Sequence, residues 1–207
     1  MKKIITIGVT LAAALSLAAC GSSSSSSSKS SDAKSSQSSK AASSSKADTA
    51  KVTKADYDAI KLGDMTKSGQ GGDTFDALTT KFGKPASSTT SETNGIKTEM
   101  DTWDNVDGKA GAHLVMTFVD KNAVGKNITN LAVALKKNVS LADYNGIATG
   151  TKFADVNAKF GDPASLNESL MAGQKTVIAI YTNGDMSSMT LTFSNDALTT
   201  KAQSNLK

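Results

Sequence analysis

A chain of 207 residues with 23 lysines and arginines against 19 acids carries a formal charge of +4, and that excess is local. Residues 22–54 hold six lysines against two aspartates, whereas residues 55–207 hold 15 lysines, 17 acids and no arginine, so the part able to fold is slightly acidic. Without arginine or a basic patch there, nucleic acid is excluded as a partner. One cysteine excludes an intrachain disulfide, its absence from residues 55–207 excludes Cys/His catalysis in the folded part, and one histidine excludes a His-rich metal site.

Residues 1–19 read as a secretion signal. Met1-Lys2-Lys3 is a short positive start, and Ile4 to Leu17 is uncharged but shorter than the roughly 20 residues a membrane helix needs. Leu17-Ala18-Ala19-Cys20 resembles the lipobox of bacterial lipoproteins. That resemblance implies cleavage before Cys20, a diacylglycerol on its sulfur, and a lipid anchor in the bilayer at the extracytoplasmic face of the cell membrane. Ordinary secretion with a chance cysteine is the alternative. Two acyl chains suffice for stable anchoring where one is marginal. From Cys20 to Val52 a tether follows. Sixteen of residues 22–54 are serine and none is aromatic, too little apolar surface to offset the entropy of ordering. As a coil it reaches on the order of 30 Å, and at most about 110 Å when stretched. Such a Ser/Lys tether looks like those of Gram-positive lipoproteins, and its lysines suit attachment near anionic lipid or wall polymer.

Beyond the tether the chain says the same thing twice, with repeat one expected over 53–137 and repeat two over 138–207. Ala55-Asp56-Tyr57-Asp58-Ala59-Ile60 returns as Ala142-Asp143-Tyr144-Asn145-Gly146-Ile147, and Lys81-Phe82-Gly83-Lys84-Pro85-Ala86-Ser87 as Lys159-Phe160-Gly161-Asp162-Pro163-Ala164-Ser165. Each copy opens on a near capping box, Thr53 with Asp56 and Ser140 with Asp143, predicting a short helix. A second helix follows, with Phe75, Leu78 and Phe82, or Phe153, Val156 and Phe160, at i, i+3 and i+7. Both end at Phe-Gly-x-Pro, glycine for a left-handed cap and proline to stop the helix. Alternating segments then predict four strands per copy, near 86–92, 97–105, 112–119 and 123–131, and near 165–170, 176–183, 188–193 and 197–206. Gly69-Gln70-Gly71-Gly72 lacks a following Lys-Ser/Thr and reads as an insertion that relaxes a turn. The fold class expected is α+β: two tandem repeats, each helix–loop–helix followed by a four-stranded antiparallel sheet.

The doubled Tyr-x-x-Ile and Phe-x-x-Val/Leu-x-x-x-Phe-Gly-x-Pro-Ala-Ser patterns, each followed by a meander, resemble the repeat unit of beta-lactamase inhibitory protein. They are also similar to the small envelope lipoproteins of the SmpA/OmlA type. The resemblance covers residues 53–207 and implies a protein-binding role. The cysteines that staple the inhibitor's repeats are missing here, and inhibition does not follow from kinship of fold.

No catalytic set emerges, and no cofactor or metal is expected. No nucleophile-elbow pattern supplies a serine for His113, and Glu99, Asp101, Asp104 and Asp107 match no calcium loop. Strand alternation instead suggests a binding face. With Met100, Thr102, Ile178 and Ile180 taken as inward, Glu99, Asp101, Trp103 and Tyr181 fall on the open side of the sheet, joined by His113. These five residues are the candidate partner-binding set, because exposed aromatics commonly anchor interfaces. The alternative is that Trp103 and Tyr181 pack in an interior, since a slip of one residue inverts the faces. The expected function is non-catalytic binding of a protein or cell-wall ligand. A structural or assembly factor of the envelope is the alternative, ahead of a hydrolase inhibitor or an enzyme.

Overall fold

The computed structural model describes residues 51–93 and 95–207; the expected signal segment, Cys20 and all but the last two residues of the expected tether lie outside the described residues. Val52 is wholly buried, with its N–H donating to Asn105 O at 2.8 Å, so the folded part already includes the expected end of the tether.

The elements are α1 (Lys54–Ala59), a 3-10 turn (Met65–Lys67), α2 (Phe75–Phe82), β1 (Ser87–Thr93), β2 (Ile96–Trp103), β3 (Gly108–Val119) and β4 (Asn122–Leu131). Then come α3 (Leu141–Gly146), α4 (Phe153–Phe160), β5 (Ser165–Met171), β6 (Gln174–Thr182), β7 (Ser188–Ser194) and β8 (Ala197–Ser204). Both expected capping boxes form: Thr53 Oγ1 accepts from the Asp56 N–H at 3.1 Å, and Ser140 Oγ from the Asp143 N–H at 3.1 Å. Gly83 and Gly161 end α2 and α4 at φ +82° and +88°, but with ψ extended, so each turns the chain out toward the sheet and not into a left-handed cap.

The expected fold class is corrected by the sheet. In place of two helix–loop–helix modules with separate four-stranded sheets, one open antiparallel sheet runs in the order β1-β2-β3-β4-β5-β6-β7-β8. The molecule is more β than α+β, because helices of six to eight residues each bury at most two side chains and cannot form a layer equal to the sheet. The continuity comes from β4 and β5, where Gly125–Ile128 pair with Ser169–Leu166. That pairing satisfies two rows of backbone groups that separate sheets would leave open.

All four α-helices cover one face of the sheet. Their apolar residues, Tyr57, Leu78, Val156 and Phe160 among them, meet Leu114, Met116, Phe118, Leu191 and Phe193 from the strands in one buried cluster. Beyond Gly125 and Ser169 the two central strands part, and the loop after α1 fills the gap. The Gly63 N–H donates to Ala123 O at 2.8 Å, and the Ala123 N–H to Asp73 O at 2.9 Å. A Cβ on Gly63 would lie 1.9 Å from Gly69 O, and one on Gly72 2.3 Å from Ala123 O. The glycine-rich insertion is thus a tightly packed strap, not the relaxed turn expected, and its glycines are there for close approach of backbones.

Candidate functional site

Cross-strand partners in an antiparallel sheet lie on the same face, so the register decides which side chains meet solvent. Trp103 pairs with Leu114, Asp101 with Met116, and Tyr181 with Met189, all on the helix side. Trp103 is 1% exposed, and Tyr181 and Asp101 are 0% exposed. The expectation that they look out from the open face is corrected: treating Met100 and Ile178 as inward places β2 and β6 one residue out of step with β3 and β7. Trp103 donates from Nε1 to Gly83 O at 2.8 Å and meets Phe82 edge-on with ring centroids 6.3 Å apart. Tyr181 does the same work in the other half, against Phe160 at 6.1 Å, with its hydroxyl donating to Asn157 Oδ1 at 3.3 Å. Burial pushes its phenol well above the ordinary value, aided by the charge of Asp162. Glu99 also lies on the helix side, half-buried and paired with Lys121 at 3.0 Å. Of the five expected residues, only His113 stands on the solvated face.

That face has a composition the sequence reading missed. Its paired positions are Ser87, Thr89, Ser91, Thr98, Met100 and Thr102 on β1 and β2, then His113, Val115, Thr117, Asn127 and Thr129 on β3 and β4. Asn167, Ser169, Thr176, Ile178, Ile180, Thr190, Thr192 and Thr200 continue it across the other half. No lysine, aspartate or glutamate occupies a paired position on this side. The charges at paired strand positions lie opposite: Glu92, Lys97, Glu99, Asp101, Lys126, Glu168, Lys175 and Lys201 all belong to the helix side. Threonine and serine recurring at alternate positions carried the signal, obscured in the sequence because the intervening positions are themselves mixed.

Near its centre the face is hollowed by about 510 Å³, lined by Met100, His113, Val115, Thr117, Asn127, Thr129, Asn167 and Ser169, with Gly125, Lys126 and Glu168 also contributing to its wall. Met65, from the strap, forms one rim. The His113 ring donates from Nδ1 to Gly111 O at 3.0 Å, and the Thr129 hydroxyl lies 3.2 Å from the ring. Neither neighbour is a carboxylate that would orient the imidazole as a base. Among the described residues, no three His, Cys, Asp or Glu side chains converge as metal ligands, and no helix is long and apolar enough to cross a membrane.

Residues 49–206 match a protein family described as a domain of unknown function with a solved structure, DUF3862. The chain belongs to this family. Its fold is also similar to a crystal structure from Streptococcus mutans described as a "putative beta-lactamase inhibitor protein", with a TM-score of 0.61. The two are 22% identical, and the similarity covers 73% of this chain and 94% of that one. At such identity the likeness is one of fold, and it supports the inhibitor-like architecture read from the Phe-Gly-x-Pro motifs. No curated protein matches the chain.

Proposed function

We propose that this protein is a non-catalytic binding module that engages a protein partner through the solvated face of its sheet, held at the outer side of the cell membrane by lipid on Cys20. The observation that carries the reading is the absence of lysine, aspartate and glutamate from every paired position of that face. Solvated sheet faces ordinarily carry charges that keep them wet and apart from other proteins. Hydroxyls, amides and scattered aliphatic groups cost far less to desolvate, and depletion of charge is what marks the core of protein interfaces. Eight strands about 4.8 Å apart, with some seven residues each rising about 3.4 Å, give roughly 900 Å², enough for one side of a standard interface. The inhibitor-like fold is compatible with a binding role and without an enzymatic one.

The lipid anchor rests on Leu17-Ala18-Ala19-Cys20. Two copies of one module, over 53–137 and 138–207, are supported by matching detail. Beyond the capping boxes, Lys126 and Lys201 each donate to the carbonyls at the end of the preceding short helix, and bulges fall at Thr117/Phe118 and at Thr192/Phe193.

A photo-crosslinking residue placed at Thr117 tests the face against the same residue at Asp155, exposed on α4. In native membranes Thr117 should yield a discrete adduct that Val115→Lys abolishes while the unfolding midpoint stays within a few degrees. Adducts from Asp155 alone, or equal adducts with and without Val115→Lys, would overturn the reading.

A further inference from the structure

On the helix side, where the two halves meet, a second cavity of about 560 Å³ opens between α1, the strap, α4 and the central strands. Its walls are apolar: Ile60 and Leu62 from the first half, Phe153 and Leu170 from the second. Its polar end is a chain of charges. Glu168, with a side chain 9% exposed, lies 3.7 Å from Lys126 Nζ and 2.5 Å from Lys175 Nζ. Lys126, only 4% exposed, also donates to Tyr57 O at 2.8 Å and Ile60 O at 3.2 Å.

Capping a helix explains Lys126 but not its neighbours. Lys201 caps α3 in the same way, through Tyr144 O at 2.7 Å and Ile147 O at 2.8 Å, with no ion pair to any acid among the described residues. The ion pair between Lys126 and Glu168 is therefore particular to the seam. One carboxylate there faces two ammonium groups, and Lys61 adds a third at the cavity wall. The other lining acid, Asp58, is already held by Lys54 at 2.6 Å. The cavity thus has an apolar interior and a surplus of positive charge at its mouth, where Lys175 remains 53% exposed.

We propose that this seam cavity binds a small anionic amphiphile, a single hydrocarbon chain ending in a carboxylate. The chain lies against Ile60, Leu62, Phe153 and Leu170, and the carboxylate takes the surplus charge of Lys175 and Lys61. The volume falls within the range of roughly 300–1,000 Å³ usual for small-ligand sites, and a few placed polar groups on apolar walls are their usual chemistry. A cation would add to the surplus, and a neutral alcohol would leave it uncompensated. This site lies on the opposite side of the sheet from the proposed partner face, and either reading can fail without the other.

Decanoate, kept below its micelle-forming concentration, probes the site in the full chain carrying Cys20→Ala. Nuclear magnetic resonance titration should show saturable one-to-one binding with shifts centred on Phe153 and Leu170. Decylamine should bind at least tenfold more weakly, and Lys175→Glu should weaken decanoate at least tenfold. Because charge reversal next to Glu168 could disturb the fold, Lys175→Gln serves as a second variant and should weaken decanoate severalfold. No saturable binding, equal binding of the amine, or a decanoate affinity unchanged in Lys175→Gln would each overturn the proposal.

Discussion

Asp101 is wholly out of water on β2, in contact with the Ser88 hydroxyl through Oδ1, while its Oδ2 has no hydrogen-bond partner among the described residues. Burial raises its carboxyl above the usual value, with the Ser88 contact opposing and the Glu99 charge adding to the rise. A carboxyl raised on folding stabilises the protein only below its unfolded value, and that contribution is lost as pH climbs through the folded one. The capping acids have the opposite sign. Lys81 and Thr53 hold Asp56 down from 3.8 to about 2, and Lys137, with Lys159 and Ser140, holds Asp143 well below its usual range. Their contribution is complete above the unfolded value and disappears as pH falls toward the folded one. Asp101→Asn should therefore raise the unfolding midpoint at pH 7 and flatten the stability profile above pH 4. An unchanged or lowered midpoint at pH 7 would show that the carboxylate is satisfied as it stands.

At the scale of the element, the strap and the turn between β5 and β6 hold one another. Asp64 accepts from the Thr66 N–H at 2.9 Å and from the Ala172 and Gly173 N–H groups at 2.9 and 2.6 Å. Those last two residues sit at φ +51° and +75°, and alanine takes such a conformation at a cost unless something fixes it. Asp64→Ala should speed amide hydrogen exchange at Ala172 and Gly173 while leaving β7 protected; unchanged exchange at the turn would refute the latch. None of this was legible in the chain, because the contact spans more than a hundred residues and no local pattern encodes it. Helices and strands were legible where a motif was local: the Thr53 and Ser140 caps, the Phe-x-x-x-x-x-x-Phe-Gly stops, and Leu114-x-Met116-x-Phe118. The faces of β2 and β6 were misjudged because Met100 and Ile178 are hydrophobic yet meet solvent, while Asp101 is charged yet buried. Hydropathy alone carries the wrong sign there, and only pairing with Leu114 and Met189 decides the matter.

For the whole molecule, all the described core lies in residues 52–206. Deleting residues 22–50 should leave the unfolding midpoint unchanged, whereas Val52→Ala, which empties a buried position, should cost about 2 kcal/mol. A midpoint lowered by more than about 4 °C in the deletion would mean that the Ser/Lys segment packs on the fold. The partition of charge across the sheet belongs to this scale too: the helix side holds the paired lysines and acids of the strands, the other side hydroxyls, amides, aliphatic groups and His113. Recognition of a partner through that second side would respond little to salt, unlike association steered by charge.

The sequential strand order has a kinetic consequence. Within each half every strand pairs with its neighbour in the chain, through hairpins such as Asp120-Lys121 and Asn195-Asp196, whose positive φ values suit two-residue turns. Such contacts close over short stretches of chain and form early. Only the β4–β5 pairing must wait for the 33 residues between Leu131 and Ser165 to be delivered. The joint between the halves should therefore form late, and substitutions along it should speed unfolding more than they slow folding.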